Sequence, residues 1–418
     1  MRNLLKKTFL ILPVSFRRLI VLIRDYYWQT KMQSWEKEHY PSVLNTVYRK
    51  KESTRKNILV YSVNGLGHGG TEKNLQLIAN ALSDNCQVFY MYGKKERNDY
   101  STKKLNENIT TIFFSYQDNE IQVPHKLSGM SPHVKKIITD NNIDLLITAS
   151  PGYAHYPWNT IQNIPIVLLN IFGAPTLQKN IVKVVYNSET TRRHAEQWIG
   201  PDDRAEVKYA PLFKKPAENH MELGTQLRKR FNIPADDFVF GRIGRNDDGI
   251  FDPIGIRAWQ KIVEYYPKAH YLIMSPPPTL VKIVKEENIP RVHFIDPSSE
   301  EDDVWAFHSA IDCMAHFRFD GETSGVAIAE SLTLGNPVIT HHSHVWNAHT
   351  EYLTDDFSRV VNKDDVDAYA KAMEEFIEIK KRTGSSWSSM EKMAISIGRK
   401  YFSSEEYSIF IKNLIDKI

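Results

Sequence analysis

From position 57 onward the chain alternates two patterns. Short, unbroken apolar runs such as NILVYS (57–62) and IVLLN (166–170) are separated by stretches in which apolar residues recur at helical spacing, as in 71–82. Continuous apolar strands between helices indicate a parallel sheet covered on both faces. Strands are expected at 57–62, 87–92, 145–148, 166–170, 182–186 and 207–210, with a glycine-rich loop at 64–70. Around 211–224 the composition turns polar, with Lys214, Lys215, Pro216 and Asn219, which reads as an interdomain connection. A second series follows, with strands at 239–243, 271–274, 292–295, 313–316 and 337–340 and helices at 254–266, 304–310 and 326–334. The tail is helical over 364–381 and about 388–401, and Ser403 with Glu406 forms a capping box that opens a further helix. The pattern predicts an α/β chain of two Rossmann-like, doubly wound domains, 55–215 and 216–387, with the helices of 388–418 packing back on the first. Open α/β sheets bind ligands at the carboxyl ends of their strands. Two such edges facing each other would share one cleft.

Residues 1–50 follow a different pattern. Leu12, Phe16, Leu19, Ile20 and Ile23 repeat at helical spacing, Arg17 and Arg24 share another face, and Tyr26, Tyr27 and Trp28 follow. Basic residues interrupt the apolar run too often for a spanning helix, which needs about 20 apolar residues. Arg17 and Arg18 stand where a signal peptide would need a small-residue cleavage site. The pattern suits a basic amphipathic helix lying in a membrane interface through residues 1–30, with its cations on anionic headgroups. The alternative is a helix packed on the protein's own body or on a partner.

Composition narrows the field. The 418 residues are 42% hydrophobic and 25% charged, enough apolar material for real cores. Lys plus Arg number 53 against 50 acidic residues, a formal net charge of +3, too even for a nucleic-acid binder that works by bulk charge. The two cysteines, Cys86 and Cys313, fall in different expected domains and have no metal-type spacing, so they read as small buried residues in a reducing compartment.

The candidate chemistry concentrates in one run, FDGETSGVAIAESL (319–332), which follows the expected strand 313–316 and opens the helix 326–334. Thr323, Ser324, Gly325 and Val326 place small residues and free backbone N–H groups at a helix N-terminus, a natural phosphate site. Glu330 lies inside an apolar stretch, where a carboxylate is expensive to desolvate unless something binds it. The two hydroxyls of a ribose would do so. The alternative is a Glu330 that faces solvent or pairs with a lysine. Glu322, at the mouth, could meet sugar hydroxyls.

The run Glu322…Glu330, ending in Gly335-Asn336-Pro337-Val338-Ile339, resembles the E-x7-E region and the Gly-x-Pro-Val-Ile strand entry of retaining GT-B glycosyltransferases, specifically glycosyltransferase family 4. Gly69-Gly70-Thr71-Glu72 resembles that family's first glycine-rich loop, where backbone approaches the diphosphate or acceptor. Gly241-Arg242-Ile243 resembles its Gly-Arg-Leu strand end. The resemblance spans about 57 to 414. It does not cover residues 1–50, which add the N-terminal helical extension, and it implies a GT-B fold with Glu322 at the donor sugar, Glu330 on the nucleotide ribose, and Arg242 on the leaving diphosphate. Asp247 and Asp248 stand where the family has a lysine, so Arg245 is taken as the replacement cation; for Arg242 and Arg245 alike the alternative is a surface ion pair to either aspartate. The family's histidine after the strand 166–170 is absent; Asn170 is placed at the site instead, with His155 as a compensating residue and His68 near the ligand. Ser275, Phe294 and Asp296, at the ends of two strands, are expected around the base.

The expected activity is therefore transfer of a sugar from a UDP- or GDP-sugar to a glycan or lipid-linked acceptor. The resemblance also implies no metal and no resident cofactor. Asp365-Val366-Asp367 is the one Asp-x-Asp candidate, and at a helix start it reads as structural. The setting would be the cytoplasmic face of a membrane, in surface polysaccharide assembly. Competing readings are a sugar-nucleotide epimerase or phosphorylase on the same fold, or a non-catalytic nucleotide-binding scaffold.

Overall fold

The computed structural model describes residues 9–39, 55–62, 70–94, 105–115, 133–152, 158–213, 215–298, 300–382 and 385–418. The chain divides into two compact units. One comprises the residues up to Phe213 together with Ser404–Ile418, and the other runs from Lys214 to Ser403.

In the first unit, strands β1 (Asn57–Ser62), β2 (Gln87–Lys94), β3 (Thr110–Ser115), β4 (Leu145–Ser150), β5 (Ile166–Asn170), β6 (Ile181–Tyr186) and β7 (Ala205–Val207) form one parallel sheet. Their order is β3-β2-β1-β4-β5-β6-β7, reversing between β1 and β4. Every residue of β4 and β5 is buried, as expected for strands covered on both faces. Helices α1 (Val14–His39), α2 (Gly70–Leu82), α3 (His133–Asp140) and α4 (Glu189–Ile199) surround the sheet. The helix Ser404–Asp416 returns to this unit and packs on α2, adding Tyr407, Ile411, Leu414 and Ile415 to the core beside Leu75 and Ile78.

α1 is the expected N-terminal helix, but its polarity is arranged differently from the expectation. Its inner face packs Met32, Trp28 and Trp35 against the sheet core. Glu36 is fully buried there, 2.6 Å from Lys135 Nζ and 3.1 Å from Thr160 Oγ1. The arginines assigned to lipid headgroups bond the protein instead: Arg17 donates to Gln197 O, Arg18 to Ile199 O at 2.8 Å, and Arg24 to Pro175 O at 2.6 Å. The outward face carries Phe16, Leu19, Leu22, Ile23, Tyr26 and Tyr27, all exposed. Among the described residues no helix is long and apolar enough to cross a membrane.

The second unit repeats the plan. Strands β8 (Phe238–Ile243), β9 (Ala269–Met274), β10 (Val292–Ile295), β11 (Cys313–Ala315), β13 (Val338–His341) and β15 (Ser358–Val361) form a parallel sheet in the order β10-β9-β8-β11-β13-β15, reversing between β8 and β11. The short strands β12 (Gly321–Glu322) and β14 (Trp346–Asn347) pair beside it. Its helices are α5 (His220–Arg230), α6 (Ile254–Ile262), α7 (Pro278–Glu286), α8 (Glu301–Ala310), α9 (Val326–Thr333), α10 (Val366–Lys381) and α11 (Ser385–Phe402); the returning helix Ser404–Asp416 is α12. α5 lies so close to α8 that a side chain at Gly224 would meet Ser309 Cβ at 2.6 Å. α11 packs on α9 within the second unit, so only α12 of the two C-terminal helices goes back to the first. β3 and β15 lie at sheet edges, and the apolar pattern did not reveal either of them.

Candidate active site

Three neighbouring strands of the second sheet deliver ionisable side chains at or just beyond their carboxyl ends: Arg242 on β8, His316 after β11, and His341 on β13. These strands flank the point where the strand order reverses, the usual ligand edge of an open α/β sheet.

Arg242 is buried, with its guanidinium over the Phe317 ring at 5.2 Å and one long bond from NH1 to Ser275 O at 3.5 Å. Its Nε has no hydrogen-bond partner among the described residues. Burial pulls its pKa down to about 10, so it keeps its charge at neutral pH. A buried cation with unspent donors is unfavourable unless an anion completes it.

Glu322 sits on β12, held in place by pairing with β14. His316 Nε2 lies 3.2 Å from its Oε1, and Arg318 NH1 lies 3.4 Å from the same oxygen. Arg318 is itself clamped by Asp320 at 2.5 and 3.0 Å. Burial would raise the Glu322 carboxyl, but His316, Arg318 and His349 outweigh it and hold the group at about 2. Glu322 is ionised at any physiological pH.

The turn after Glu322 leads into α9. Gly325 takes a left-handed φ of +94°, and a Cβ there would meet Tyr352 Oη at 2.3 Å. That hydroxyl donates to Ser324 O at 2.8 Å and fixes the entry to the helix. The Ser324 hydroxyl is buried without a hydrogen-bond partner among the described residues, and Thr323 and Val326 are half-buried. The first N–H groups of α9 have no intrahelical acceptor, so this turn can receive an anion.

Glu330, on α9, does not face open solvent, and among the described residues it pairs with no lysine. Its Oε2 lies 3.2 Å from His308 Nε2, and the other ring nitrogen of His308 lies 2.9 Å from Ser331 Oγ. Asn336 Nδ2 donates to His308 O at 2.7 Å, securing that residue from behind. His308, on α8, was not found by reading the sequence, because only the packing of α8 on α9 brings it to Glu330. His316 was also missed, although a histidine directly after an apolar strand in such a sheet is a usable signal.

The remaining candidates are dispersed. Arg245 is exposed. Asp247 and Asp248 accept from Gly249 N and Thr279 N, and neither forms an ion pair with Arg245. Ser275, with a φ of +56°, joins β9 to β10 through Ile295 O at 2.9 Å. Phe294 is half-buried and Asp296 exposed on the same edge. In the first unit, Asn170 anchors a loop: its Oδ1 accepts from Gly173 N at 2.7 Å and its Nδ2 donates to Ala174 O at 3.0 Å. Gly70 opens α2 and is exposed, while Gly69, His68 and His155 lie outside the described residues.

Asp365 caps α10 by accepting from Ala368 N at 2.9 Å, and Asp367 pairs with Lys261 at 2.6 Å. Among the described residues, Asp252, His344 and Asp364 bring ligand-type atoms within 4.8 Å of one another. Asp252 already accepts from Ile254 N, and His344 lies 3.4 Å from Asp364, so capping and ion pairing account for this group.

Residues 255–394 match the family model described as Glycosyl transferases group 1. That group 1 span contains Glu322, Glu330, His308 and His316 and the turn into α9. A search of curated proteins finds no match. Among solved structures, a glycosyltransferase from Rickettsia africae superposes with a TM-score of 0.67 at 14% identity, covering 87% of this chain and 99% of that one. Anabaena Alr3699/HepE, solved in complex with UDP and glucose, gives 0.64 at 16% identity over 86% and 99%. UDP-GlcNAc 2-epimerase from Neisseria meningitidis gives 0.56 at 13% identity over 86% and 100%. These likenesses, with the two parallel sheets, establish the GT-B fold for the chain that carries the group 1 span.

Proposed function

We propose that this protein is a retaining glycosyltransferase of family 4 that moves a sugar from a UDP-sugar to a hydroxyl of a glycan or lipid-linked acceptor. The observation that carries the reading is a pair of carboxylates, Glu322 and Glu330, held on either side of the helix-opening turn 323–326, each 3.2 Å from a buried histidine. Carboxylates fixed in this way can accept from ligand hydroxyls without first losing side-chain freedom. UDP complexes among the structural neighbours favour uridine over guanosine as the base.

In this reading Glu330 takes the ribose hydroxyls, and Ser275, Phe294 and Asp296 lie around the base. The N–H groups of Ser324, Gly325 and Val326, with Arg242 and Arg245, receive the diphosphate. As the bond between C1 and the phosphate oxygen breaks, positive charge grows on the sugar and negative charge on that oxygen. Fixed donors around it stabilise the second charge. The acceptor hydroxyl attacks from the face the diphosphate leaves, and its proton passes to the departing phosphate oxygen. Cationic side chains and the helix terminus supply the charge that a metal supplies elsewhere. The outward apolar face of α1 suits attachment to the cytoplasmic face of a membrane, the setting in which a lipid-linked acceptor is found.

The test is a thermal-shift series with UDP, GDP, ADP and CMP, followed by product analysis with UDP-sugars. UDP should raise the melting temperature most. Glu330→Ala or Arg242→Ala should reduce that shift at a fixed UDP concentration. Free UDP with a lengthened acceptor marks transfer, whereas a UDP-sugar recovered with inverted stereochemistry marks the epimerase reading.

A further inference from the structure

His316 is fixed at its backbone from two sides. Its N–H donates to Ile339 O of β13 at 2.8 Å, and its carbonyl accepts from Tyr369 Oη of α10 at 2.9 Å. The ring is buried, yet neither ring nitrogen has a hydrogen-bond partner among the described residues. Nε2 stands 3.2 Å from Glu322 Oε1, off the line of a hydrogen bond. Arg318 NH1 approaches the same oxygen, and Asp320 holds Arg318 in that pose. His349 faces the cluster with Nε2 3.1 Å from His341 O and with Nδ1 unpartnered among the described residues. Two nitrogen groups thus converge on one oxygen of Glu322.

We propose that His316 is a positioning residue that, with Arg318, turns Oε1 of Glu322 inward and so presents Oε2 to a hydroxyl of the transferred sugar. The inference rests on the reading of Glu322 as the donor-sugar carboxylate. A terminal carboxylate torsion is broad and carries little preference of its own. Its direction must come from its neighbours. A buried imidazole without partners among the described residues is unfavourable, and at 3.2 Å Nε2 is already within hydrogen-bonding distance of Oε1. Hydrogen bonds in ligand-free sites are commonly long or misaligned and tighten on binding.

The experiment uses the full chain with UDP, UDP-glucose, UDP-galactose and UDP-GlcNAc. The readouts are the dissociation constant for UDP and kcat/KM for UDP release from the best sugar nucleotide. His316→Leu should lower kcat/KM about tenfold, the size of one charge-assisted hydrogen bond, and leave UDP affinity within about twofold. His316→Gln, which restores an N–H near Nε2, should recover most of the loss. In a Glu322→Gln background, His316→Leu should have little further effect, as expected for two residues acting through one contact. Equal impairment by Leu and Gln, a parallel loss of UDP affinity, or unchanged kcat/KM overturns the assignment. If His316→Leu does not fold, His316→Asn, whose amide is too short to reach, takes its place. A wild-type chain that neither binds UDP nor consumes any of the three sugar nucleotides instead overturns the glycosyltransferase reading, and the role of His316 with it.

Discussion

Glu330 and His308 meet across two packed helices of the second unit, α9 and α8, with 3.2 Å between Oε2 and Nε2. Ser331, the next residue on α9, holds the far side of the same ring. The carboxylate is therefore aimed before any ligand arrives. Glu330→Ala should weaken UDP binding by about ten- to a hundredfold, the loss of one or two hydrogen bonds to a charged acceptor. His308→Ala should weaken it less, because the carboxylate survives and loses only its aim. Calorimetric titration with UDP checks both, and an unchanged affinity in Glu330→Ala rejects the ribose assignment.

Gly325 is required by backbone and by space. Gly325→Ala places a Cβ against Tyr352 Oη at a φ that L-residues avoid. The change should destabilise the second unit by about 2 kcal/mol. In melting experiments that corresponds to a fall of about 5 °C. Adding Tyr352→Phe should recover part of the loss by removing the clash, while the strained φ remains.

The acid response has a definite sign. The Glu322 carboxyl is depressed to about 2 in the folded chain, so its contribution is present above its unfolded value near 4.5 and is lost as pH falls toward 2. Burial, with the charge of His316 next in size, lowers the His349 imidazole from 6.5 to about 3. The unfolded chain then binds more protons between those values, and stability falls as pH drops below about 6.5. Urea midpoints from pH 7.5 to 3 should decline steadily. His349→Phe should flatten the decline from its upper end, and Glu322→Gln should flatten it only below about pH 4.5.

Phe16, Leu19 and Ile23 face outward from α1 with about half of their surface exposed (49%, 49% and 59%). Replacing all three with serine should abolish co-sedimentation with anionic phospholipid vesicles. The melting temperature should stay within about 1 °C, because exposed positions contribute little to folding. Retained vesicle binding by the triple variant would remove α1 from the membrane reading.

The buried strands were legible because both faces of each sheet are covered, and their apolar runs stand out from the helices between them. The edge strands β3 (TTIFFS) and β15 (SRVV) carry weaker runs and were invisible to the same criterion. Glu322, Glu330 and the turn between them were legible because they lie within one stretch of chain. Their histidine partners differ in this respect. His316 is only six residues from Glu322, but His308 reaches Glu330 through helix packing that no local pattern encodes. The inner face of α1 misled for a related reason. Arginines that read as headgroup ligands find backbone carbonyls at the ends of distant elements, as Arg18 does at Ile199.

The return of α12 to the first unit has a consequence for biosynthesis. Tyr407, Ile411, Leu414 and Ile415 complete a core whose other members precede Phe213. A nascent chain must therefore carry an unfinished first unit through translation of all of Lys214–Ser403. At roughly 5–20 residues per second, that is a delay of about ten to forty seconds. During this interval the part of α2 that α12 covers stays open although its sheet side is already packed, and a ribosome-bound chaperone would find its client there rather than in the second unit, which is continuous in sequence and can close as it emerges.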